Sequence, residues 1–143
     1  MLERGLTITQ AWRDADFCEL SVAAFDGEYM GSTSVYASPD EPNALAAAIA
    51  GFPRSPDDSR EHTLGNFNPR LAYGGVRMRF FCVGAAGHCF LDITIEAHEE
   101  VANALRSVRI VFPFDPGALD EFVAKLQMAS AWDPAFLKMR VDR

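Results

Sequence analysis

The chain has 143 residues and a mass of 15.7 kDa, about the length of one domain, with 49% hydrophobic and 23% charged residues. This size allows one hydrophobic core, and this composition excludes an intrinsically disordered chain. A net charge of −7, from 13 basic and 20 acidic residues, disfavours nucleic acid, which requires clustered Lys and Arg, and suits solubility or a basic protein partner.

Strand-forming residues dominate the first quarter of the chain. A weak strand-like piece covers Leu6–Thr9, and a stretch rich in strand formers covers Phe17–Phe25. Asp26-Gly27 is a strong turn signal that leads into another such stretch within residues 28–37. This pattern predicts a hairpin between residues 17 and 37.

A capping box predicts the first helix. In Ser38-Pro39-Asp40-Glu41, Ser38 is placed to accept a hydrogen bond from the third helical amide, and Glu41 is placed to reach back. Gly51 and Pro53 mark the end of this helix. An apolar stripe at helical spacing is formed by Leu45, Ala48, Ile49 and Phe52.

Residues 53–75 are rich in Pro, Ser, Asp, Asn, Arg and Gly and predict a long loop, with one short strand near His62–Leu64. Loops of this length are uncommon inside a compact domain and often carry function. A ligand or catalytic site between this loop and the sheet is therefore one functional hypothesis.

The central stretch, residues 76–96, predicts a hairpin around a turn centred on Ala85-Ala86. The pairs on its apolar face are Val76 with Ile95, Met78 with Ile93, Phe80 with Leu91, and Cys82 with Cys89. The pairs on its other face are Arg77 with Thr94, Arg79 with Asp92, Phe81 with Phe90, and Val83 with His88. This single register produces both an apolar and a mixed face. Shifting it by one residue would break the side-chain pairing on both faces.

After a polar connection over residues 97–103, Leu105–Phe114 alternates as a strand with Val108, Ile110 and Phe112 inward. Asp115-Pro116 is a second helix start, followed by an apolar stripe of Leu119, Phe122, Val123 and Leu126. Residues 131–139 predict a last short helix. Its core-facing side chains would be Trp132, Phe136 and Leu137.

The order of these elements, β-β-α-(β)-β-β-β-α, has no repeats and no strict βαβ alternation. It predicts an α+β fold in a single domain over residues 1–143, with a single mainly antiparallel sheet of about five to six strands and two helices packed on one face. The apolar side chains of the central hairpin should be buried against the two helix stripes.

The first residues and the hydropathy of the chain predict a cytoplasmic protein. Met1-Leu2-Glu3-Arg4 opens neither a signal peptide nor a transit peptide, and no apolar run approaches the roughly 20 residues of a spanning helix. Three cysteines, an odd number, fit reduced thiols better than a disulfide framework. We therefore expect no membrane partner. The acidic net charge leads us to expect no nucleic-acid partner either.

Cys82, His88 and Cys89 are of the residue types that bind zinc. Because successive residues of a strand face opposite ways, His88 points away from Cys89, and at most two of the three share a site. Together with Cys18, these thiols are better explained as small core residues. The sequence therefore predicts no metal and no cofactor.

The three histidines, His62, His88 and His98, are scattered over a loop, a turn and a connection. A catalytic Cys-His pair requires an accessible thiol with an imidazole in reach, and the cysteines fall on the predicted core face. We therefore predict no catalytic residue.

The mixed face of the central hairpin carries the candidate interface, which consists of Phe81, Phe90, Val83 and His88. With both helices on the Phe80 face, these side chains meet solvent unless another segment covers them. The covering candidates are loop 53–75, through Phe67 or Tyr73, and the segment around Trp132. If uncovered, exposed aromatics with a charged rim have the composition of an interface centre, for a basic protein partner such as a toxin or for self-association.

Three short patterns resemble small bacterial domains of unknown function related to WapI-type immunity proteins. They are Phe17 with Leu20, the Gly87-His88 turn before Leu91-x-Ile93-x-Ile95, and Asp115-x3-Leu119-x2-Phe122-x3-Leu126. The resemblance covers about residues 17–127. It implies a noncatalytic protein that blocks a toxin by binding it, with no catalytic residue to carry over.

Two functional hypotheses follow from the sequence. The leading one is a noncatalytic protein-interaction module, with an immunity protein as its specific form. The alternative is a small-molecule-binding or enzymatic α+β domain with its site at the 53–75 loop. The absence of a convergent polar set in the sequence favours the first.

Overall fold

The structure is a computed structural model, and it describes residues 2–67, 74–128 and 133–141. Strands make up most of these residues. The strands are β1 (Gly5–Arg13), β2 (Cys18–Phe25), β3 (Met30–Ala37), β4 (Ser59–Gly65), β5 (Gly75–Val83), β6 (His88–Glu99), β7 (Ala104–Phe114) and β8 (Ala135–Lys138). The helices are α1 (Glu41–Ile49), which follows β3, and α2 (Pro116–Gln127), which follows β7.

The strands form two antiparallel sheets of four strands each. The first sheet has the order β3-β2-β1-β8 and the second the order β4-β5-β6-β7. The α+β class is as predicted, but the prediction of a single sheet of five to six strands is wrong. Alternation along a strand shows which side chains are buried and leaves open which sheet the strand joins. Within the described residues no ladder joins β3 to a strand of the second sheet, so β1–β3 form a sheet of their own, which β8 extends by pairing with β1.

The predicted register of the central hairpin is confirmed across β5 and β6. Every predicted pair, from Val76 with Ile95 to Val83 with His88, is present. The inner side chains are between 0% and 3% exposed: Val76, Met78, Phe80, Leu91, Ile93 and Ile95. The predicted hairpin of residues 17–37 is likewise present as β2 and β3.

β3 crosses the second sheet at one end of its strands. A Cβ added at Gly31 would overlap Cγ1 of Val108 on β7, so the missing side chain permits this close approach. Further along β3, the Ser34 carbonyl accepts a hydrogen bond of 3.2 Å from Gly74 N–H, just before β5, and β3 also contacts β4 and β6. The first sheet therefore lies across the second rather than along it, as in orthogonal sheet packing.

The helices bridge the two sheets at their edges. They pack on each other, α1 contacts β4 of the second sheet, and α2 contacts β8 of the first. The predicted single sheet under both helices is therefore replaced by two sheets, with α1 packed mainly against the second and α2 mainly against the first. The predicted stripe residues are buried in one core with both sheets: Leu45, Ile49, Leu119, Phe122 and Leu126.

The start of α1 differs from the predicted capping box. The helix begins at Glu41 with Asp40 as its N-cap, and Ser38 instead accepts a hydrogen bond of 3.3 Å from Asp40 N–H. The Glu41 carboxylate is occupied elsewhere, since its Oε1 lies 2.8 Å from Nε2 of His62 on β4. A tertiary contact therefore replaces the local one. The predicted start of α2 at Asp115-Pro116 is confirmed.

Two segments differ from the sequence prediction. The short strand predicted near His62–Leu64 is present but longer, as β4 (Ser59–Gly65), so this part of the predicted 53–75 loop is regular structure, and residues 68–73 lie outside the described residues. Ala135–Lys138 forms β8 where a short helix was predicted over 131–139. Ala135 and Leu137 are buried on one side of β8, an alternation too short to identify a strand from sequence. Trp132 lies outside the described residues.

The strand predicted over Leu105–Phe114 is present as β7, with Ile110 and Phe112 buried and Val108 packed against the core. Within residues 2–67, 74–128 and 133–141, no helix is long and apolar enough to cross a membrane.

Phe80 lies at the centre of an aromatic cluster that joins β5, β7 and the segment after α1. Its ring is fully buried, with centroids 6.2 Å from Phe52 and 6.1 Å from Phe114. We expect Phe80→Ala to lower the free energy of unfolding by about 3–5 kcal/mol, because it leaves a cavity among these rings. Phe17→Ala, at an exposed ring, is the matched control and should change stability by less than about 0.5 kcal/mol. A loss below about 1 kcal/mol for Phe80→Ala, measured by denaturant unfolding, would show that the core face is wrongly assigned.

Candidate functional site

The three thiols lie on the inner sides of the two sheets. Cys18 is buried and its Sγ donates a hydrogen bond of 3.3 Å to the Ser38 carbonyl; Cys89 is buried and Cys82, opposite it, is half-buried. Burial raises the pKa of the Cys18 thiol, and burial together with the neighbouring Cys82 raises the pKa of the Cys89 thiol to about 11. These two thiols stay protonated near neutral pH and are poor nucleophiles.

The histidines are separated from one another. His62 is bonded to Glu41 as described, Nε2 of His98 lies 3.2 Å from Oδ1 of Asn103, and His88 is exposed at the start of β6. Among the described residues, no group of three or more His, Cys, Asp and Glu side chains is arranged to hold a metal ion.

The 53–75 segment supplies structural contacts where it is described. Arg60 donates hydrogen bonds to Asp58 and to the carbonyls of Ala48 and Ala50, and its guanidinium lies over the Phe52 ring. The Arg60 guanidinium and the Arg54 N–H hold the pKa of Asp58 below its usual value. These groups hold the segment between α1 and β4 in place, and no sequence pattern indicates Arg60 in this role.

The side of the second sheet that faces away from the core is a mixed surface, here called the outer face. It is formed by Arg77, Arg79 and Phe81 of β5, Phe90, Asp92 and Thr94 of β6, and Arg109, Val111 and Pro113 of β7. Phe81 and Phe90 stack with ring centroids 5.7 Å apart and planes inclined by 22°. Both rings are half-buried, whereas Val83 and His88, which continue the hairpin beyond them, are exposed. All four predicted interface residues are thus adjacent on one surface.

Two arginines of the outer face make defined contacts, one with an aromatic ring and one with a carboxylate. The Arg79 guanidinium lies 4.6 Å from the centroid of Phe81. Arg109 forms a bidentate pair with Asp92, Nε to Oδ1 at 2.9 Å and Nη2 to Oδ2 at 2.6 Å. Hydrogen bonds from Arg109 lower the pKa of Asp92, and Asp92 raises the pKa of Arg109.

This arrangement refines the predicted pairing of Arg79 with Asp92. The two residues are opposite each other in the register, as predicted, but the carboxylate of Asp92 is bonded to Arg109 on the next strand. Arg109 was missed because its distance from Asp92 depends on the register of β7 against β6. Alternation along residues 105–114 determines the face on which Arg109 lies but not which residues of β6 lie beside it.

One predicted covering residue lies on a different part of the outer face. Arg77 lies 4.3 Å from the ring centroid of Phe67, and a Cβ at Gly75 would lie 2.9 Å from that ring. Phe67 therefore covers the Gly75–Arg77 end of β5, while Phe81 lies towards its other end. Tyr73 and Trp132 lie outside the described residues.

A cleft of about 310 Å³ separates β3 from the far end of the β6–β7 hairpin. It is lined by Met30, Gly31 and Ser32 of β3 and by Ile95, Ala97, Arg106, Ser107 and Val108 of the hairpin. A second cleft, of about 390 Å³, lies between Thr33-Ser34 and the end of β6 near Glu99 and Glu100. Both clefts exist because β6 and β7 extend past β5, whose first residue is paired with Glu96.

No family model, no curated protein and no solved structure matches this chain.

The burial of the Cys18 and Cys89 thiols leads to a prediction about their reactivity. At pH 8 a thiol with a pKa near 11 is about one thousandth ionised, so Cys89, and likewise buried Cys18, should react far more slowly with Ellman's reagent in the native protein than in denaturant. Elemental analysis of protein purified without chelator should find no stoichiometric metal. Zinc that is lost together with the fold in a Cys82→Ser/Cys89→Ser variant would contradict this.

The Asp92–Arg109 pair makes a prediction about pH. A carboxyl whose pKa is lowered by folding stabilises the native state above its unfolded pKa, and this stabilisation disappears as pH falls through the folded value. We expect Asp92→Asn to be less stable than the wild type at pH 7, with the difference shrinking as pH falls below about 4 and towards the lower folded pKa of Asp92. Glu61→Gln, on the outward side of β4, is the control, and thermal unfolding from pH 3 to pH 8 is the measurement. A difference that persists unchanged at pH 3 would contradict the role of the Asp92 charge.

Proposed function

We propose that this chain is a noncatalytic protein-interaction module that binds its partner on the outer face of the second sheet. The observation that carries the proposal is the stacked pair Phe81–Phe90 on a sheet side turned away from the core. Val83 is 49% exposed beside this pair and extends its apolar area to the hairpin turn. Aromatic side chains surrounded by polar groups are typical of the centre of a protein interface.

The arginines of the outer face support the same proposal. Arg79 covers the Phe81 ring, and Asp92 holds Arg109 in a bidentate pair, so both side chains have defined positions before a partner arrives. Side chains that are already ordered lose little conformational entropy on binding. Arginine and aromatic residues are also the types that contribute most of the energy of interfaces.

The proposed partner is a basic protein, and specifically a toxin that this chain blocks as an immunity protein in the cytoplasm. Exposed Glu61 of β4 lies opposite Arg79 in the strand register, at the edge of the outer face, and exposed Asp57 follows Pro56, which lies close to Gly87 in the turn of the β5–β6 hairpin. The outer face itself carries three arginines against Asp92, so the attraction of a basic protein comes from these bordering carboxylates and from the net charge of −7 of the whole chain. The resemblance to WapI-type immunity proteins supports the toxin as the specific partner.

The chemistry of the interior supports a noncatalytic role. The Cys18 and Cys89 thiols are buried and protonated, and the imidazoles of His62 and His98 are hydrogen-bonded to Glu41 and Asn103. Binding, rather than acid-base or nucleophilic chemistry, is what the exposed groups of the outer face are suited to.

The variant Phe81→Ser/Phe90→Ser tests the proposal. Cross-linking in the native cell and mass spectrometry identify the partner, and calorimetry with the purified partner gives the affinity of each variant. We expect the double variant to keep its fold and to bind at least about tenfold more weakly, because two central aromatic contacts are lost. Phe17→Ser, at an exposed ring between β1 and β2, is the matched control and should bind as the wild type.

Two results would contradict the proposal. One is an unchanged affinity in a folded double variant. The other is a lowered thermal midpoint with unchanged affinity, which would assign Phe81 and Phe90 to internal packing alone.

A further inference from the structure

Among the described strands, β7 is at the edge of the second sheet and is paired on one side only, with β6. At its end, the Pro113 carbonyl accepts a hydrogen bond of 2.8 Å from Arg140 N–H, so the backbone of Pro113 points away from β6. In an antiparallel strand the N–H and C=O of one residue point to the same side, and the side alternates along the chain. Leu105, Ser107, Arg109 and Val111 therefore direct both groups to the same unpaired edge.

This free edge, from Leu105 to Val111, has no hydrogen-bond partner within the described ranges. The other sheet has its edges shortened or covered: β8 has four residues, and β3 crosses the second sheet and is bonded to Gly74. Folded proteins commonly protect long edge strands with charge, proline or a covering segment, since an open edge pairs with another strand. On β7 the proline stands only at the far end, at position 113.

We propose that the free edge of β7 pairs with β7 of a second copy of this chain, antiparallel and centred on Val108. In this register Leu105 faces Val111 of the second copy and Ser107 faces Arg109. Each of these facing pairs can exchange two backbone hydrogen bonds, about eight across the two-fold axis. The second sheets of the two copies then form one continuous sheet of twice the width.

Side chains support this register against its neighbours. Leu105 and Val111 are 50% and 45% exposed on the outer face, so their facing pairs bury apolar surface at both ends of the contact. Shifting the centre by one residue to 109 would place Arg109 opposite Arg109 and Leu105 opposite Pro113, which has no N–H. Shifting it to 107 would pair Val111 with Asn103, which lies in the turn with a φ of +50°.

In this register the charged side chains of β7, Arg109 and Arg106, do not face a like charge of the second copy. Arg109 is turned to β6 by its bidentate pair with Asp92, so its guanidinium is directed away from the second copy. Arg106 would face Ile110 rather than another charge. On the inner side, Met30 is 48% exposed and lines the cleft beside Arg106 and Val108.

The oligomeric state, measured by sedimentation over a concentration series, tests the proposal. We expect the wild type to reach twice the chain mass of 15.7 kDa, and Ser107→Pro to remain a monomer, because the proline removes an N–H that β6 does not use. Leu105→Lys/Val111→Lys, which places like charges opposite each other, should also be a monomer. Thr63→Lys, on the opposite edge strand, and Phe81→Ser/Phe90→Ser should dimerise as the wild type, which separates this edge from the proposed partner surface.

Cross-linking tests the register itself. Leu105 faces Val111 of the second copy on the exposed outer face, so L105C/V111C should form intermolecular disulfides under mild oxidation, while T63C, on the opposite edge strand, should not. Circular dichroism establishes that each variant is folded, and the lysine pair decides the result if the proline variant is not. A wild type that stays monomeric up to about 1 mM, or a dimer that persists in the folded lysine variant, would overturn the proposal.

Discussion

The close crossing of β3 over the second sheet constrains the rest of the molecule. Gly31 lies so near Val108 that no side chain fits between them, and Gly74 hydrogen-bonds across the junction to Ser34. This contact fixes the two sheets at an angle, so their inner faces converge at one end and leave room elsewhere for α1 and α2. The core is closed by the sheets and helices together, and the outer face of the second sheet stays turned to solvent.

The sequence was sufficient where two independent patterns had to agree. In the β5–β6 hairpin the apolar and the mixed face alternate over the same residues, so one register satisfied Phe80 with Leu91 and Phe81 with Phe90 at once. The β2–β3 hairpin was found for a similar reason, because Asp26-Gly27 fixes the turn. There the Asp26 carboxylate accepts hydrogen bonds of 2.8 Å from the N–H groups of Glu28 and Tyr29.

The sequence was insufficient where distant segments determine the structure. The division into two sheets depends on β3 crossing β4, β6 and β7 without pairing with them, and the fourth strand of the first sheet depends on the pairing of Leu6 with Leu137; no local pattern contains either. At the start of α1, the Glu41 carboxylate that a capping box would use is instead hydrogen-bonded to His62, which is distant in sequence. The same limit applies to the candidate site: the aromatic pair was predictable within one hairpin, whereas the partner of Asp92 came from another strand.

The pairing of β1 with β8 also bears on the order in which the sheets form. The second sheet is a meander of consecutive strands, so each of its pairings closes a short connection between neighbours in sequence. The first sheet is complete only when β8 joins β1 after α2, and closing so long a loop costs more conformational entropy than closing a hairpin. During synthesis, β1 therefore has an open edge until β8 has left the ribosome, and the first sheet is the part of the molecule that requires the whole chain.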